Sequence, residues 1–168
     1  MQNRILLILL AILLQGSYQR VVIKPQGKAF KGAECPKAYE AALDRLNRED
    51  YVTIDNTRAD DLTRTYGSQT PATRAYGITF AIKQQDRKNI TKPYNLMGSS
   101  AILMEVSNLI IGNCQNVGTV TIGYVGSSRT FGVLGPKEEV KEFECLSSVR
   151  NGRFDNELPW EWGLQWCQ

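Results

Sequence analysis

Leu158-Pro159-Trp160-Glu161-Trp162-Gly163-Leu164-Gln165-Trp166-Cys167 closes the chain and carries all three of its tryptophans. The apolar residues Leu158, Trp160, Trp162, Leu164 and Trp166 fall on even positions, and Pro159, Glu161, Gly163, Gln165 and Cys167 on odd ones. A period of two is the signature of an extended backbone, whose successive side chains leave on opposite faces. The run therefore predicts a half-buried strand with the three indoles on one face. Flanking leucines favour directing that face into a core, since exposed leucine beside a flat sugar-binding ring adds surface that water rejects. Trp162 and Trp166 are accordingly expected to be structural, with Trp160 or Trp162 nearer the surface beside Pro159.

Working outward, the opposite terminus reads as a secretory leader over residues 1–19. Arg4 gives a basic start, Ile5 to Leu14 is an unbroken apolar run, and Gln15-Gly16-Ser17 supplies small residues near a cleavage point expected between Ser17 and Val21. The apolar run is shorter than the roughly 20 residues a membrane helix needs, so no stable membrane insertion is expected after its removal. Residues 20–168 then fit a single α+β domain of about 150 residues. Without Arg4 the 20 basic residues become 19 against 17 acidic ones, a net charge of +2. Acids interrupt the basic residues throughout, as in Asp55-Asn56-Thr57-Arg58-Ala59-Asp60-Asp61. No nucleic-acid partner is expected from so mixed a surface.

Cys35, Cys114, Cys145 and Cys167 all follow the leader, and an even count in an exported chain reads as two disulfides. Their spacings do not fit a zinc or C-x-x-C pattern, and no metal or cofactor is expected. The chain has no histidine, which excludes imidazole zinc sites, Ser-His-Asp triads and Cys-His dyads. Walker A and G-x-G-x-x-G loops are also missing, so histidine-based and P-loop chemistry are both closed to it.

Between the termini, Arg20-Val21-Val22-Ile23 is a strand or linker. Cys35 to Asn47 is a helix, with Pro36 in its first turn and Tyr39, Ala42, Leu43 and Leu46 on one stripe. Tyr51 to Ile54 reads as a strand, and Asp55 to Thr73 as a long loop. Tyr76, Ile78, Phe80 and Ile82 alternate along a central strand. Gln84 to Asn95 reads as a polar loop containing the sequon Asn89-Ile90-Thr91. Residues 99–112 read as a capped helix, although their β-branched content also suits a strand. Strands follow over Gly118 to Val125, Thr130 to Leu134, Val140 to Leu146 and Leu158 to Cys167, with 137–146 open to a helical alternative. Turn residues between them favour a meander. The fold class is thus α+β, a largely antiparallel sheet with two helices on one face and two disulfides.

A meander sets the expected pairing of the cysteines. Cys114 before its first strand and Cys167 at the end of its fourth fall at one end of the sheet, with Cys145 at the other. Five residues of strand span roughly 17 Å, whereas a disulfide tolerates about 7 Å between Cα atoms. Cys114 is therefore expected to pair with Cys167, and Cys35 with Cys145.

Candidate binding residues come from a recurring pattern, Arg64-Thr65-Tyr66, Arg74-Ala75-Tyr76 and Arg129-Thr130-Phe131. In an extended chain each Arg shares a face with the aromatic two residues on and can lie against its ring. With Trp160, these make a candidate set of Arg–aromatic clamps. For acid–base chemistry the carboxylates Asp55, Asp60, Asp61 and Glu161 are available, but no spacing places two of them as a glycosidase pair. The expected function is a secreted or periplasmic non-catalytic module, binding or structural, taking a small-molecule, glycan or protein ligand. The competing reading is a secreted carbohydrate-active enzyme using paired carboxylates.

Overall fold

A computed structural model describes residues 29–48, 53–83, 91–146, 159–165 and 167. The expected leader, Arg20 to Ile23, Leu158 and Trp166 lie outside these residues, as do Asn89 and Ile90 of the sequon.

The alternation in Tyr76–Ile82 sets the frame. As strand β2 it turns Ile78, Phe80 and Ile82 into the core and leaves Gly77, Thr79 and Ala81 on the other face. Before it, β1 (Ile54–Asp61) runs antiparallel to β2, with Arg58 opposite Thr79 and Asp60 opposite Gly77. After it, β3 (Val117–Tyr124) lies parallel to β2, with Thr79 opposite Thr121. A parallel pair needs a crossover, and two helices provide it, α3 (Thr91–Gly98) and α4 (Ser100–Asn113). Strands β4 (Ser127–Leu134) and β5 (Glu139–Glu142) continue as an antiparallel meander. The sheet order β1-β2-β3-β4-β5 follows the chain.

Helix α1 (Cys35–Asn47) packs with α4 over one face of this sheet. Tyr39, Ala42 and Leu46 of α1 and Leu103, Val106 and Ile110 of α4 join Ile78, Phe80, Val120, Ile122 and Phe131 in one buried cluster. Tyr39 stacks on Phe80 at 5.8 Å between ring centroids. The fold is therefore the expected α+β arrangement, a mostly antiparallel sheet with helices on one face and two disulfides.

Several local expectations are corrected. Asp55 to Thr73 is not a loop: it holds most of β1, a short helix α2 (Thr63–Tyr66) and a 3-10 turn, Gly67–Gln69. The sequence of β1 has no apolar face because β1 is an edge strand, and polar residues there discourage pairing with other chains. Part of the expected loop Gln84 to Asn95 is helical, since α3 begins at Thr91. Its stripe is only Pro93, Leu96 and Met97, and Pro93 is tolerated because it lies in the first turn.

The largest correction concerns the C-terminal run. Among the described residues of the run, only Leu164–Gln165 is a strand, β7, paired in parallel with β6 (Glu144–Cys145). The Leu164 N–H donates to the Glu161 carbonyl and Gly163 sits at φ +98°, so the backbone turns where the pattern predicted extension. Burial follows the expected alternation through Trp162, with Pro159 and Glu161 exposed and Trp160 and Trp162 half-buried, and departs from it at Gln165, on the expected polar side but only 3% exposed.

The disulfides also differ from the expected pairing. Cys35 joins Cys114 and Cys145 joins Cys167, with Cα separations of 4.6 and 5.4 Å. Cys35 begins α1 and Cys114 follows α4, so helix packing brings them together. Because β7 runs beside β6 instead of forming the fourth strand of the meander, Cys167 arrives at Cys145.

Candidate functional site

The face of the sheet turned away from α1 and α4 is built from small residues. Arg58, Thr79, Thr121 and Thr130 form one row across β1 to β4, and Asp60, Gly77, Thr119 and Gly132 form the next. Small side chains leave room for a second layer. A Cβ on Gly132 would stand 2.5 Å from the Phe143 ring, so only glycine admits that ring against the sheet.

This second layer covers part of the face and leaves a groove beside it. Asp61 accepts hydrogen bonds from the Thr63 N–H (3.0 Å) and the Thr63 hydroxyl (2.6 Å), an Asx turn that leads into α2. Helix α2 then presents Arg64 to solvent and buries Tyr66, 4% exposed, against Trp160, Trp162 and Phe143. The Tyr66 hydroxyl donates to the Leu164 carbonyl at 3.1 Å, and burial pushes its pKa up to about 12. The Trp160 N–H donates to the Thr65 carbonyl at 2.7 Å, and the Trp162 Nε1–H to the Val133 carbonyl at 2.8 Å. The two bonds tie the C-terminal segment to α2 and to β4. Among the described residues nothing accepts the Trp160 Nε1–H, which is shut off from water.

Gln165 forms the inner end of this wall. Its Oε1 accepts the Thr130 N–H at 2.7 Å and its Nε2 donates to the Phe143 carbonyl at 2.6 Å. The side-chain amide thus stands in for a peptide group where β5 leaves β4, keeping two buried backbone groups paired.

The resulting groove has a volume of about 630 Å³. Thr79, Thr119, Thr121, Ser128 and Thr130 line its floor, with Arg58, Asp60, Arg64, Tyr66, Trp160 and Gln165 around it. Thr121 and Thr130 share a hydroxyl–hydroxyl bond of 3.0 Å, and the Thr79 hydroxyl donates to Asp60 at 2.8 Å. Asp60 also pairs with the Arg58 Nε at 3.0 Å.

The expected binding residues divide between places. Arg64, Tyr66 and Trp160 meet in the groove. Arg74 instead donates to the carbonyls of Ile111 and Val117 and to Glu138, tying the end of α4 to β3. Tyr76 lines a separate hollow with Lys31 and Asn116. Arg129 lies on the helix side, with its guanidinium 5.5 Å from the Phe131 ring centroid. It bonds the Glu142 carboxylate, the Met97 carbonyl and the Ser100 hydroxyl, and the Glu142 hydrogen bond holds it more firmly protonated than usual. Of the carboxylates, Asp60 and Asp61 line the groove, while Asp55 and Glu161 are exposed outside its lining. Sequence reasoning missed Thr79, Thr121, Ser128, Thr130 and Gln165. Their signal was the restriction of the non-core positions of β2 to β4 largely to Thr, Ser and Gly.

Among the described residues, no group of three or more Cys, Asp or Glu is placed to hold a metal ion, and no helix is long and apolar enough to cross a membrane. No protein-family model, curated protein or solved structure matches the chain.

Proposed function

We propose that the protein is a secreted or periplasmic non-catalytic binding module whose ligand site is the groove on the sheet face opposite the helices. One observation carries this reading: a hydroxyl-lined floor spans β2, β3 and β4, and the second layer that covers the rest of the face stops short of it. A sheet face left polar and recessed inside a fold of this size is a place for a ligand rather than for a core. Export is supported by the leader and by two disulfides, which persist in oxidising compartments. The non-catalytic assignment draws on the groove's carboxylates, both of which are occupied: Asp60 by Arg58 and Thr79, Asp61 by Thr63. The competing reading, a secreted carbohydrate-active enzyme, would rest on those same two aspartates. It requires turnover that Asp60→Asn or Asp61→Asn abolishes.

Soaking crystals with a panel of small hydroxylated and charged compounds tests the site. Bound density between Thr121 and Trp160 is expected. Compounds bound at high occupancy only elsewhere, or nowhere, would overturn the reading.

A further inference from the structure

The groove carries enough chemistry to name the class of molecule it takes. Three floor residues, Thr79, Thr121 and Ser128, are half-buried and so remain in reach of a ligand, and they lie on three adjacent strands. Neighbouring strands stand about 4.8 Å apart, a spacing close to the width of one sugar ring. Hydroxyls both donate and accept, and Asp60, already holding Arg58 and Thr79, keeps acceptor capacity because a carboxylate has about four lone-pair sites. An alkyl chain entering here would strip these groups of water and leave them unpaired. A polyhydroxylated molecule satisfies them.

The charges in the groove are unequally engaged. Arg58 is paired, and Asp60 and Asp61 both accept hydrogen bonds. Arg64 is exposed, lines the same groove, and has no ion pair or hydrogen bond among the described residues. Close by, the Trp160 backbone N–H bonds the carbonyl of the residue after Arg64 and so fixes the Trp160 ring beside it. The unspent charge at this end is therefore that of Arg64, a cationic donor that calls for an acid. The Trp160 ring offers an apolar wall against which a sugar ring can lie.

We propose that the groove binds an acidic saccharide, a sugar unit bearing a carboxylate or sulfate. Its acid group pairs with Arg64, its hydroxyls bond Thr79, Thr121, Ser128 and Asp60, and its ring lies against Trp160. The assignment rests on the reading of the groove as a ligand site.

Calorimetric titration of the exported protein tests it with four probes: an oligogalacturonate, a sulfated galacto-oligosaccharide, a neutral galacto-oligosaccharide of equal length, and inorganic sulfate. At least one acidic saccharide is expected to bind about tenfold or more tightly than the neutral one, the worth of one charge-assisted hydrogen bond. Arg64→Gln should erase that margin, whereas Arg48→Gln, outside the groove lining, should change nothing. Thr121→Val, or Ser128→Ala if the first is poorly folded, should weaken acidic and neutral saccharides alike. Equal affinity for neutral and acidic sugars, still sensitive to Thr121→Val, would overturn the acid assignment and leave the groove reading standing. Inorganic sulfate binding as tightly as the saccharides would overturn the sugar assignment. Affinity indifferent to both Arg64→Gln and Thr121→Val would place binding elsewhere and overturn the inference and the groove reading together. Absence of heat with every probe would overturn the inference, and crystal soaking would then decide the groove separately.

Discussion

The two faces of the sheet share their strands and differ in almost everything else. On the helix side Ile78, Phe80, Val120, Ile122 and Phe131 are sealed under α1 and α4. On the far side the intervening residues Gly77, Thr79, Thr119, Thr121, Thr130 and Gly132 keep the surface shallow. One face is closed by a large apolar core, whereas the other is closed by a small aromatic cluster around Tyr66 and Phe143 and by hydrogen bonds: Tyr66 to Leu164, Trp162 to Val133, and Gln165 to both Thr130 and Phe143. Packing of the first kind leaves no space, and packing of the second leaves the groove. Alternation within a strand thus assigns stability to one face and access to the other.

Mutations on the two sides should respond differently, and the largest effect belongs to the helix side. Phe80→Ala removes a fully buried ring stacked on Tyr39 and is expected to lower stability by about 4 kcal/mol in urea denaturation. A loss below 1 kcal/mol would mean that this face is not the main core. Trp162→Ala, on the hydrogen-bonded side, should cost about 3 kcal/mol because the indole is half-buried and also bonds Val133. If it costs more than Phe80→Ala, the ranking of the faces is wrong.

Next comes a dependence on alkaline pH. Tyr66 is held at about 12, above its ordinary 10.0, so its contribution is complete below pH 10 and disappears as pH rises through 12. Stability should fall by about 1.4 kcal/mol per pH unit across that window. Tyr66→Phe, compared at each pH, should reduce this slope to what Tyr39, also raised by burial, contributes; an unchanged slope would assign it to other groups. Gln165→Leu should cost about 2 kcal/mol, since it strands the Thr130 N–H and the Phe143 carbonyl. Retention of wild-type stability would show that the amide is not a bridge the sheet needs.

What the sequence disclosed tracks how each residue is buried. The stripe of α1 and the alternation of β2 were legible because large apolar residues recur there at the period of the backbone. In β1 the pattern is silent, since an edge strand with polar residues has no face to bury. At the C-terminus Trp160 and Trp162 are two residues apart on a turning chain: they share an environment because both pack edge-on against Tyr66, not because an extended strand aligns them. The disulfide pairing inherited that misreading. Arg64, Tyr66 and Trp160 were singled out and do meet, yet Arg74 and Arg129, with the same spacing, are spent on carbonyl and carboxylate partners outside the groove. Spacing cannot tell an arginine that finds carbonyl partners from one that does not. Threonines on the floor escaped notice because Thr at alternate positions of a strand also occurs as ordinary surface.

Amide chemical-shift mapping during titration with the acidic oligosaccharide measures the division of the faces most directly. Shifts are expected at Arg64, Thr79, Thr121, Ser128 and the Trp160 indole, with the interior of α1 and α4 unmoved. Shifts concentrated on those helices, with the groove residues silent, would contradict the account.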